Sequence, residues 1–188
     1  MSRIRAPGDI DATGTPGITT FLRGDGAWAV PSGGGGGSTW ALAASWTHSV
    51  DVANVDFTGL GGLGDILAIV RGITQSASGA AILHVSTDNG SSFYTTSGDY
   101  LAINETSGSA VNSIGCGFWV TNTTAARYGA IQILGANVTG APRLILGYGQ
   151  NNSPQRLFVA DNANPINAIR VASNSGNMTG GSIYVFTR

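Results

Sequence analysis

From residue 39 onward the chain never holds an apolar run longer than a strand. Short runs rich in Val, Ile, Leu and Ala recur roughly every 10–15 residues, and Gly, Asn, Ser and Asp fill the gaps. That rhythm leaves no room for an amphipathic helix and predicts a sandwich or barrel. The charge inventory agrees. All nine basic residues are Arg, and Glu105 is the one Glu among ten acids. Helix surfaces favour Lys, Glu and Gln, which keep rotamer freedom there. Their scarcity, with 29 glycines, argues for an all-β chain with many turns.

Twelve stretches are strand candidates, from which about ten short strands are expected: 38–50, 52–60, 65–73, 80–86, 92–95, 98–104, 114–121, 127–134, 143–148, 155–160, 166–172 and 182–187. The best is Asp65 to Ile73, continuous, apolar and β-branched. Residues 107–112 read as a polar loop. Segments 114–121 and 127–134 read as a hairpin across Asn122 to Ala126. The expected head is a single antiparallel β-sandwich, jelly-roll-like, over 39–188.

Gly33 to Gly37 stand before that head. Five glycines make a flexible tether, which spans only about 12 Å as a coil. We read 1–32 as an extended segment, 33–38 as a linker and 39–188 as the head. Within the first segment, Thr19-Thr20-Phe21 and Ala27-Trp28-Ala29 flank Arg23-Gly24-Asp25-Gly26, where Asp-Gly signals a hairpin. Phe21, Leu22 and Trp28 are too few for a core, and an isolated hairpin is marginal in water. They must be buried against a partner protein, sister subunits or both.

Net charge is −1 with no basic cluster, so nucleic acid is not an expected partner. No run approaches the ~20 residues of a membrane helix, and the N-terminus lacks the apolar core of a secretory signal. Cys116 is the only cysteine and reads as a buried, inert thiol. His48 and His84 lack partners at metal-ligand or triad spacing. Asp88, Asp99, Glu105 and Asp161 fall in loops or near strand ends, with no acid pair for sugar hydrolysis in view. We expect no enzyme activity, no cofactor and no metal.

Gly14-Thr15-Pro16-x-x-Thr19-Thr20-Phe21-Leu22-Arg23-Gly24-Asp25-Gly26-x-Trp28-Ala29 resembles a motif recurrent in fibre and related virion proteins of tailed bacteriophages. A looser likeness runs through Val52 to Leu60, Ser86 to Gly90 and Gly176 to Val185. It resembles a β-sandwich module at the ends of phage structural proteins, whose last strand belongs to the core sheet. The first resemblance implies a virion location, a homotrimer and virion-anchoring by Phe21, Leu22, Arg23, Asp25 and Trp28. The outward head would bind host surface polysaccharide, or would be a capsid or tail decoration with no receptor role. Arg23-Gly24-Asp25 also spells an integrin-binding tripeptide, but here it serves the turn.

Ser86-x-Asp88-x-Gly90-x-Ser92-Phe93 resembles the Asp-box of sialidases, which is a structural turn there. Hydrogen-bonding and stacking groups suited to sugars are Trp119, Arg143, Tyr148, Asn151, Asn152 and Arg156. The competing reading is that the Asn residues fill turns.

Overall fold

A computed structural model of the chain describes residues 21–22, 28–29, 39–103, 110–113, 115–118, 125–149, 155–159 and 163–188. The chain divides into two compact units, Met1–Thr39 and Trp40–Arg188.

In the first unit, β1 (Phe21–Leu22) pairs antiparallel with β2 (Trp28–Ala29). Phe21 stands opposite Ala29 and Leu22 opposite Trp28. The expected hairpin forms across the Arg-Gly-Asp-Gly segment. Arg23 and Asp25 lie outside the described residues.

The second unit is all β among the described residues. Its strands are β3 (Ala41–Thr47), β4 (Asn54–Phe57), β5 (Ile66–Gln75), β6 (Ala81–Ser86), β7 (Tyr100–Ile103) and β8 (Ala110–Ser113). They continue with β9 (Cys116–Gly117), β10 (Arg127–Leu134), β11 (Leu144–Gly149), β12 (Gln155–Val159), β13 (Ala168–Ser173) and β14 (Met178–Thr187). Eight form one sheet in the order β3-β14-β5-β10-β11-β12-β7-β8, and four form a second in the order β4-β13-β6-β9. Every pairing is antiparallel. The all-β sandwich is therefore present. This sandwich sets eight strands against four. β14, the last strand, sits inside the larger sheet between β3 and β5.

Alternation explains the core. On β5, Ile66, Ala68 and Val70 are fully buried while Leu67 and Ile69 are half-buried. Ile131 and Ile133 of β10, Ile145 of β11, Leu157 and Val159 of β12, and Ile183 and Val185 of β14 join the buried set. From the smaller sheet come Leu83 and Val85 of β6 and Ile169 and Val171 of β13. These side chains make one continuous core.

The outward rows of the large sheet follow from register. One runs Leu42–Phe186–Leu67–Gln132–Leu146, and the next Ser45–Tyr184–Ile69–Ala130–Tyr148. Most of these side chains are apolar, although the four-stranded sheet does not cover them.

Three sequence expectations differ from the structure. Residues 107–112 are not all loop, because β8 pairs with β7 at the sheet edge. An edge strand needs few apolar side chains, so its polarity hid it. Segment 114–121 makes no hairpin with 127–134. β10 has both edges occupied by β5 and β11, and β9 joins β6 in the other sheet. Gly115 makes that docking close: a Cβ there would lie 2.8 Å from the Leu83 carbonyl oxygen. Residues 92–95 form no strand, although the Tyr94 amide donates to the Val85 carbonyl at 3.0 Å.

Candidate functional site

Of the sugar-binding candidates, Arg143 and Tyr148 are described in full and Arg156 by its backbone alone. Arg143 and Tyr148 belong to one stretch of chain but differ by an odd number of positions. On a pleated strand that puts them on opposite faces. Tyr148 is 53% exposed on the outer face, and Arg143 is 1% exposed on the core side. The Arg143 guanidinium therefore offers no surface to a sugar. Arg156 stands opposite Leu146 in backbone register. Trp119, Asn151 and Asn152 lie outside the described residues, as do Glu105 and Asp161.

The densest polar constellation is elsewhere, around the turn after β6. Ser86 Oγ donates to Asp88 Oδ1 at 2.7 Å and accepts from the Gly90 amide at 2.9 Å. Asp88 Oδ1 also accepts from the Ser92 amide at 2.9 Å, and Oδ2 from the Ser92 hydroxyl. The Ser92 hydroxyl first, and then Ser86, hold the Asp88 carboxyl down at about 2. Asn89 and Gly90 take φ of 59° and 88°, which Asn and Gly tolerate best. These bonds turn the chain within the loop.

Asn89 and Asn167 tie that loop to the rest of the sandwich. Asn89 Oδ1 accepts from the Gly59 amide at 2.7 Å, and the Asn89 amide donates to Asn167 Oδ1 at 2.7 Å. Asn167 Nδ2 donates to the Thr87 carbonyl at 3.0 Å. Beyond it, the Arg170 guanidinium grips both Asp56 oxygens at 2.6 and 2.8 Å. The same guanidinium lies 4.1 Å above the Phe93 ring. Beneath, the buried Tyr100 hydroxyl accepts from the Val85 amide at 2.9 Å and donates to the Tyr94 carbonyl at 3.1 Å. Burial pushes the Tyr100 phenol well above its usual range. The polar groups named here bond one another or anchor the loop to β4 and β13, which is how a structural turn uses an Asp-box-like segment. The sequence signalled the turn itself. It carried no sign of Asn167 and Arg170, which lie about 80 residues on and arrive only through β13–β6 pairing.

The histidines differ. His48 bonds Asp51 at 3.0 Å and stands edge-on to Trp46, near the surface. His84 is buried on β6, opposite Arg170 of β13. Neither of its ring nitrogens has a hydrogen-bond partner among the described residues. Desolvation, and then the Arg170 charge, lower its pKa below the ordinary imidazole value. Cys116 is buried, and burial pushes its thiol up to about 12, far from a reactive thiolate. Among the described residues no group of three or more His, Cys, Asp or Glu is placed to hold a metal ion.

No protein-family model, curated protein or solved structure matches the chain.

Proposed function

We propose that this chain is a non-enzymatic structural protein of a tailed-bacteriophage virion, a short homotrimeric fibre or spike. Its N-terminal segment attaches it to other virion proteins, and its β-sandwich head is displayed outward to host surface glycan. The observation that carries the reading is the ordered string from Gly14 to Ala29. The pairing of Phe21-Leu22 with Trp28-Ala29 supports it, because the string then has a shape to present as well as a composition. A two-stranded piece that short gains its stability from whatever it docks against.

A decoration role without receptor binding is the second reading. The burial of Arg143, away from Tyr148, favours it by removing a hydrogen-bonding arm from the surface candidates.

The test is incorporation. Phe21→Ala and Trp28→Ala together should cut the copies recovered per particle at least tenfold while the head keeps its β-sheet circular dichroism. Unchanged occupancy would overturn the attachment role. Deleting residues 39–188 then separates the two readings: impaired adsorption marks a receptor-binding head, and normal adsorption marks decoration.

A further inference from the structure

We propose that Asn89-Gly90 is a self-modifying pair that the fold holds unreactive: folding preserves the Asn89 amide, and unfolding lets it convert to aspartate or isoaspartate. The inference goes beyond the virion reading and stands without it.

The chemistry needs only the pair and water. Asn89-Gly90 is the one Asn-Gly step in the chain, and asparagine is among the thermally labile residues. The backbone nitrogen that follows an asparagine can attack its side-chain amide carbon, and a glycine there has no side chain to block the approach. The Gly90 nitrogen gives up its proton and bonds to Asn89 Cγ. The Cγ–Nδ2 bond breaks, ammonia leaves with the proton, and a cyclic imide remains. Water then opens the ring. Cleavage at Cγ gives aspartate. Cleavage at the main-chain carbonyl gives isoaspartate, whose backbone runs through Cγ and is one carbon longer.

Asn89 is exposed, so water is at hand. The fold nevertheless engages both reacting groups elsewhere. The Gly90 amide donates to Ser86 Oγ at 2.9 Å, which occupies the N–H that must be lost. Asn89 Oδ1 accepts from the Gly59 amide at 2.7 Å, so the side chain is tied to the segment after β4. The Asn89 amide is fixed in turn to Asn167 Oδ1 at 2.7 Å. Gly90 also has little room to swing, because a Cβ there would lie 2.9 Å from Thr58 Cγ2. Bringing the Gly90 nitrogen to Asn89 Cγ means breaking the Ser86 and Gly59 bonds together, which is a local opening of the loop. Conversion is one-way. The longer isoaspartate backbone cannot meet Ser86, Gly59 and Asn167 at once, and either product sets a new carboxylate beside that of Asp88.

The experiment holds the purified full chain in mildly alkaline buffer, folded or in urea, and follows it by peptide mass mapping. Conversion replaces NH by O in the peptide that carries residue 89. The unfolded wild type should convert at least tenfold faster than the folded wild type. Ser86→Ala keeps the side chain small and removes the acceptor for the Gly90 amide. With its β-sheet circular dichroism unchanged, this variant should convert at least tenfold faster than the folded wild type. Asn174-Ser175 is the internal control: its Asn174 Oδ1 accepts from the Ala80 amide at 2.6 Å, apart from Ser86, and its rate should be the same in both folded proteins. If Ser86→Ala misfolds, Asn167→Ala, which frees the Asn89 amide, should show the same acceleration at residue 89. A folded wild type that converts as fast as the unfolded chain overturns the proposal. So does a folded variant of either kind that converts no faster than wild type.

Discussion

His84 and Asp88 sit on the same strand-and-turn unit and make opposite bargains with water. His84 is neutral in the fold because burial and Arg170 oppose its charge. The unfolded chain takes up that proton near the ordinary value of 6.5. The unfolded state therefore binds more protons below that pH, and stability is full above 6.5 and falls as pH drops through it. Asp88 is the reverse case, an exposed carboxylate kept ionised by the Ser92 and Ser86 hydroxyls. Its contribution is complete above the unfolded value of 3.8 and is lost as pH falls towards about 2. Thermal melting against pH should show two separate declines. His84→Leu should abolish the one just below 6.5, and Asp88→Asn the one below about 4. A first decline that persists in His84→Leu would place the titrating group elsewhere.

Between β5 and β14 the register shifts twice, at Met178/Gly180 and Gly180/Ser182, with Gly72 and Gly181 both in the left-handed region. A Cβ on Gly181 would meet the Gly72 carbonyl carbon and oxygen at 2.6 Å, and that backbone cannot step aside. Gly140 shares the positive φ but has open space around it. Gly140→Ala should cost about 1 kcal/mol from the left-handed penalty alone. Gly181→Ala should cost at least about 3 kcal/mol, because a clash adds to the strain. Urea denaturation of both variants checks this, and equal losses would mean that the bulge has no close contact. These elements also mark the limits of what sequence could say. Strands such as β5, β6 and β10 were legible, because their apolar side chains reveal burial directly. β9 was not. Residues 114–121 look like a full strand, but among the described ones only Cys116 and Gly117 pair, and which sheet they join depends on a glycine fitting over Leu83. The candidate site suffered more. Strand parity was enough to place Arg143 and Tyr148 on opposite faces, but not to say which face the protein would bury.

At the scale of the whole molecule, the two faces of the large sheet predict different responses to the same loss of side chain. Ile145→Ala empties space between the sheets and should cost about 2–5 kcal/mol at any protein concentration. Its neighbour Leu146→Ala acts on the outer face. It should cost under about 1 kcal/mol, because a half-buried surface side chain leaves no cavity behind. Chemical denaturation separates the two, and equal losses would mean that the outer face is packed as closely as the core. β14, bonded to β3 and β5 at once, adds a matter of timing. Its partners lie more than a hundred residues earlier, so this is a sheet of long-range contacts. While the ribosome is still working, β3 and β5 wait with their pairing edges unsatisfied, and only residues 178–187 can join them. The head therefore emerges as a set of half-matched ribbons and closes only once residues 178–187 are available. Until then those open edges are templates on which other chains could pair.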